Sequence, residues 1–135
     1  MKNRSAVLYW TARLVAAIVM FQTLFFKFTA SEESVYIFTT VGMEPWGRIS
    51  VGALELIAAV LLLIPATAWL GGVLALGLML GAIGMHLTIL GIVVQNDGGY
   101  LFILAVLVAL CSVYILFRNA NKIIGLFATF RQKLG

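Results

Sequence analysis

The sequence predicts an all-α membrane protein. The expected architecture is an antiparallel bundle of four transmembrane helices, with a short interfacial helix in the first outer loop and a basic amphipathic C-terminal tail. Three observations carry this. The 135 residues are 63% hydrophobic and only 10% charged, against about 45–50% and about 25% in soluble domains. The mean hydropathy is +1.10. Four apolar runs, at about 6–28, 46–64, 67–94 and 100–117, each approach the ~20 residues that cross about 30 Å of hydrocarbon as a helix. Only helices or closed barrels satisfy their backbone in lipid, and the runs lack the two-residue alternation of barrel strands. The length suits a single domain, 1–135.

The first run follows Lys2 and Arg4 and resembles the start of a signal peptide. It is long, however, and Phe28 sits where cleavage after Ala30 requires a small residue, so we read it as a retained helix. The link from Thr29 to Pro45 is the longest. Val35, Tyr36, Phe38, Thr39 and Gly42 suggest a short helix at the interface, with Ser31 before it and Glu32 and Glu33 in its first turn. Pro65 ends the second run, and the tight link makes runs two and three antiparallel neighbours. Asn96-Asp97-Gly98-Gly99 is a turn between runs three and four.

Basic residues set the orientation. Lys2 and Arg4 precede the first run, and Arg118, Lys122, Arg131 and Lys133 follow the fourth. An even number of spans puts both ends on one side, and the positive-inside rule makes that side the cytoplasm. In the tail, Ile123, Ile124, Phe127 and Phe130 recur at helical spacing among the basic residues, a pattern suited to an anionic leaflet. The net charge of +4 therefore calls for a lipid membrane and for no nucleic acid. The single cysteine, Cys111, cannot close an internal disulfide and reads as a small buried apolar residue.

Ionisable groups inside a span are costly and suggest function. Arg13 lies about 10 Å into the first run and reads as a snorkelling anchor. Lys27 and Arg48 fall near the outer interface. Glu55 lies about 13 Å below Trp46, too deep for its short side chain to reach water. Glu44, Arg48 and Glu55 share one helical face, and Gly52 on the same stripe leaves space beside Glu55. His86, the only histidine, lies about 12 Å from the outer end of run three. The antiparallel link brings it to the depth of Glu55, so a carboxylate and an imidazole can meet. Either this is a structural bond that fixes helix register, or it is the floor of an outward-facing polar pocket with Lys27 and Arg48 at its mouth. Gly77, Gly81, Gly84 and Thr88 form a close-packing face opposite His86, suited to a neighbouring helix or a second protomer. One histidine, one cysteine and one deep carboxylate do not make a metal site.

Gly52-Ala-Leu-Glu55-Leu with the later Pro65, Gly81-Ala82 with His86, and Lys27 closing the first run resemble the DoxX-like family of small membrane proteins. The resemblance covers about Lys27 to Leu116. It implies four transmembrane helices. It also implies kinship with a small subunit of a thiosulfate:quinone oxidoreductase, a protein of oxidative-stress complexes and a receptor-assembly chaperone. The chain departs from the pattern before Lys27, where Leu24, Phe25 and Phe26 replace the small-residue pair of many members. On this basis the chain is expected to be an oxidoreductase-associated subunit of the bacterial inner membrane. Lys27, Arg48, Glu55 and His86 would line a pocket for a quinone or a small anion, and no catalytic residue is assigned. A homo-oligomer or a partner redox subunit is the expected company. A non-catalytic assembly or scaffold protein and a small proton-coupled permease stay open beside this reading, and so does the question of enzymatic activity.

Overall fold

The computed structural model describes residues 2–135, with side chains from Asn3 onward. It is helical throughout: α1 (Lys2–Phe28), α2 (Glu32–Thr40), α3 (Trp46–Leu63), α4 (Ala68–Met85), α5 (Tyr100–Arg118) and α6 (Ala120–Leu134). A 3-10 turn, Pro65–Thr67, precedes α4, and a π-helical turn, His86–Leu90, extends it. No strand occurs among the described residues. Four helical stretches are long and apolar enough to cross a membrane: Asn3–Phe28, Trp46–Leu63, Pro65–Leu90 and Tyr100–Arg118. The third stops short of the expected Val94. Gly91 adopts φ +79°, a conformation open to glycine that ends the helical path.

α1 packs on α3 and α5, and α4 packs on the same two helices, which closes a ring. The buried seam is built largely of small residues, among them Ala16, Ala17, Ala58, Ala59 and Ala75. Small side chains let helix backbones approach where lipid offers no hydrophobic driving force. The large apolar residues point the other way. Ile18, Phe25, Ile57, Leu80, Leu110 and Phe117 are exposed, as a surface that meets acyl chains requires.

Within the single chain, Gly71 and Gly72 are the glycines of α4 that pack closely. A Cβ on Gly71 would lie 2.7 Å from the Leu62 amide nitrogen and 3.0 Å from the Ala58 carbonyl oxygen. A Cβ on Gly72 would meet Ile115 at 3.2 Å. Gly77, Gly81 and Gly84 have nothing within 4 Å of that position. α4 is therefore tight against α3 near Pro65, whereas Gly77 and Gly81 face open space. Spacing shows which glycines share a face, but not which face meets a neighbour.

Pro65 organises the tight end. It has no N–H to give to the Leu61 carbonyl, which accepts instead from the Thr67 hydroxyl at 3.0 Å. The next carbonyl, Leu62, accepts from Arg13 Nε at 2.6 Å. Arg13 is therefore no snorkelling anchor. It is 1% exposed, and its guanidinium lies 3.9 Å from the Trp10 ring centroid. The unsatisfied carbonyls and negative dipole end of α3 draw the cation inward. Its second terminal nitrogen, Nη2, makes no hydrogen bond among the described residues.

At the opposite end, Ser31 caps α2 by accepting from the Ser34 amide at 3.3 Å. α2 buries Ser34 and Phe38 and packs on α1, α3 and the π-helical turn, so it crosses the end of the bundle. α6 contacts little beyond α5 and exposes Ile124, Phe127 and Phe130. Lys122 Nζ ties its start to the Ala66 carbonyl at 3.0 Å.

Candidate functional site

The interior opens beyond the tight end at Pro65. A cavity of about 270 Å³ lies between α1, α3, α4 and α5, with α2 along its outer side. Most of its wall is apolar, including Met20, Val51, Met79 and Leu104. The polar groups on it are few: Thr23 and Lys27 of α1, Glu55 of α3, His86, and Ser31, Glu33 and Ser34 around α2.

The deep carboxylate is paired, but not with the imidazole. Glu55 is 3% exposed, and its Oε1 lies 3.1 Å from Lys27 Nζ. Its Oε2 accepts from the Thr23 hydroxyl at 3.3 Å. Thr23 and Lys27 stand four residues apart in α1 and so present both donors on one face. An ammonium offsets the desolvation of a carboxylate better than a neutral ring does, which accounts for the choice of partner. Lys27 thus lies inside the site and not merely at its rim.

One nitrogen of His86 is satisfied locally. Its Nδ1 lies 2.9 Å from the Gly91 carbonyl oxygen. A carbonyl only accepts, so Nδ1 carries the proton. The π-helical turn from His86 to Leu90 and the positive φ of Gly91 bring that carbonyl back to the ring; such turns recur at functional sites. The ring also meets Phe102 edge-on, with centroids 5.7 Å apart.

Arg48 does not line the cavity. Its Nε donates to both Glu44 oxygens at 2.9 and 3.0 Å, and a terminal nitrogen donates to the Lys27 carbonyl. It caps the C-terminal end of α1 and joins it to the start of α3. The space expected beside Gly52 is also filled: a Cβ there would meet the Phe28 ring at 3.0 Å.

Thr23 and α2 were not among the expected site elements. Thr23 could have been found, since it lies one helical turn before Lys27. Glu33 could not, because only the packing of α2 turns it inward. One of its oxygens, Oε1, is sealed from water without a partner among the described residues. Burial pushes the Glu33 carboxyl above its ordinary range, and nearby Asp97 adds to this.

Asp97 behaves oppositely. Burial works against its charge, but the amides of Val94, Gly99 and Leu101 outweigh it. The distances are 3.0, 2.8 and 3.2 Å, and the carboxyl sits below its ordinary range. A lowered folded-state pKa means that the carboxylate stabilises the fold above the unfolded value. The contribution is lost as pH falls through the folded value. Asp97→Ala is therefore expected to cost about 1 kcal/mol at neutral pH, as loss of a helix cap does, and less at acid pH. Thermal unfolding in detergent as a function of pH checks this; an equal loss at both pH values would contradict it.

A largely apolar cavity with an ion pair on its wall, inside a ring of four membrane-capable helices, defines an integral membrane protein with a buried candidate binding site. The DoxX-like family model matches residues 11–114, and the chain belongs to that family. No curated relative and no solved structure matches the chain.

Proposed function

We propose that this DoxX-like protein is a ligand-binding subunit of the bacterial inner membrane. It is an antiparallel transmembrane bundle with both termini in the cytoplasm, and α2 and α6 lie at opposite interfaces. The ligand is a quinone headgroup or a similarly small polar head, and the subunit serves an oxidoreductase whose redox cofactor sits in a partner chain. The cavity of about 270 Å³ with Thr23, Lys27, Glu55 and His86 on its wall carries this reading. Ligand sites are mostly apolar clefts with a few placed polar groups, and lysine has three donors, of which the Glu55 contact uses one. Arg48 acts through Lys27 and not on the ligand.

A second reading is a non-catalytic assembly protein. The complete pairing of Glu55 by Lys27 and Thr23 favours it, since such a bond can serve register alone. Native mass spectrometry of the protein in lipid nanodiscs separates the two. A bound quinone-sized molecule, absent from a Met79→Trp variant with the cavity filled, is the expected result. An empty site in protein taken from native membrane would favour the assembly role.

A further inference from the structure

The cavity has a second feature that bears on what enters it. Gly77 and Gly81 line it, yet both are exposed on the lipid-facing surface of α4, with nothing within 4 Å of where a Cβ would stand. Val51 of α3 lines the same stretch. α2 lies across the outer side, with Ser34 and Phe38 buried beneath it. The cavity therefore has cover toward water and a gap toward the acyl chains, between α3 and α4.

The second observation is His86. The residue is 5% exposed and lines the cavity. With Nδ1–H given to Gly91, Nε2 of the neutral ring is a hydrogen-bond acceptor. It has no partner among the described residues, yet packing does not seal it. A buried imidazole acceptor without a partner calls for a donor from the ligand.

We propose that the ligand is a tailed amphiphile that enters from the bilayer, with a hydroxyl on its head donating to His86 Nε2 and an apolar tail leaving between α3 and α4 past Val51, Gly77 and Gly81. The proposal rests on the reading of the cavity as a binding site and adds the class of ligand and its route. A bare anion lacks both the donor and the tail. A reduced, hydroxyl-bearing quinone has both, whereas the oxidised form offers His86 no donor.

The test uses three probes on the full chain in lipid nanodiscs: phenol, para-nonylphenol, and the methyl ether of para-nonylphenol, which keeps the tail and loses the O–H. Binding of radiolabelled probes is compared at fixed lipid-phase mole fraction. Nonylphenol is expected to bind about tenfold more tightly than its methyl ether, the scale of one hydrogen bond. The pair Gly77→Leu and Gly81→Leu is expected to weaken nonylphenol by about tenfold through steric closure of the gap and to leave phenol binding as it was. The open space at both glycines lets the leucines fold, and an unchanged thermal unfolding profile checks that. Equal affinity for the phenol and the ether would overturn the role of His86. Unchanged nonylphenol binding in the leucine variant would overturn the route while the binding site stands. Failure of all three probes on the unaltered chain would remove the site itself.

Discussion

Lys27→Met is expected to destabilise the protein by about 3–5 kcal/mol, the usual result of removing one partner from a buried ion pair. Glu55 is then left 3% exposed with only the Thr23 hydroxyl at 3.3 Å. A single neutral donor does not offset the desolvation of a carboxylate. The double variant Lys27→Met with Glu55→Gln is expected to recover most of the loss, because it removes the uncompensated charge and keeps the shape. Unfolding in mixed micelles, as a double-mutant cycle, measures the coupling. Additive losses in the cycle would mean that Lys27 and Glu55 do not depend on one another. The cycle also bears on function. A pair that serves only register gives a stability loss alone, whereas a pair on a binding wall also changes ligand occupancy when the stabilised double variant is compared with the parent.

Gly71→Leu is the second large effect. A Cβ at Gly71 would meet the backbone of one turn of α3: the Leu62 nitrogen at 2.7 Å, the Ala58 oxygen at 3.0 Å and the Leu61 carbonyl carbon at 3.0 Å. Backbone atoms cannot rotate away as a flexible side chain can, so α3 and α4 must separate. The cost is expected at about 3 kcal/mol, the upper part of the overpacking range. It extends to Arg13, whose hydrogen bond, at 2.6 Å, goes to the Leu62 carbonyl on that same turn. Gly77→Ala, two turns further along α4, is the control. It meets nothing within 4 Å and exchanges a poor helix former for a good one, a gain of up to about 1 kcal/mol. Thermal unfolding of the two variants in the same detergent should therefore move in opposite directions. Similar losses in both would show that α4 packs tightly along its whole length.

Much of the bundle is legible in the sequence. Apolar run lengths located the four long helices, Pro65 located the sharp link, and Ser31 with Glu32 and Glu33 located the start of α2. Thr23 also carried a signal, in its spacing from Lys27. The errors share a cause. Arg13 was assigned to the interface by depth alone, yet the carbonyls that α3 loses at Pro65 hold it inside. Spacing groups Gly77, Gly81 and Gly84 on one face of α4, but only packing shows that Gly71 and Gly72 touch the neighbouring helices. Glu55 and His86 were paired by depth, but Lys27 and Thr23 reach the carboxylate, and Gly91 reaches the ring.

By itself the sequence determined a helical membrane protein of four long apolar segments with costly ionisable groups placed within them. Hydropathy and helix rise are local quantities that add along the chain, so they need no neighbours to be evaluated. Only the tertiary structure decided which polar groups bond to which, that Arg48 braces two helix ends away from the wall of the central cavity, and that this cavity opens between the four long helices. Those outcomes depend on distances between helices, and hydrogen bonds and ion pairs change by whole kcal/mol over about 1 Å.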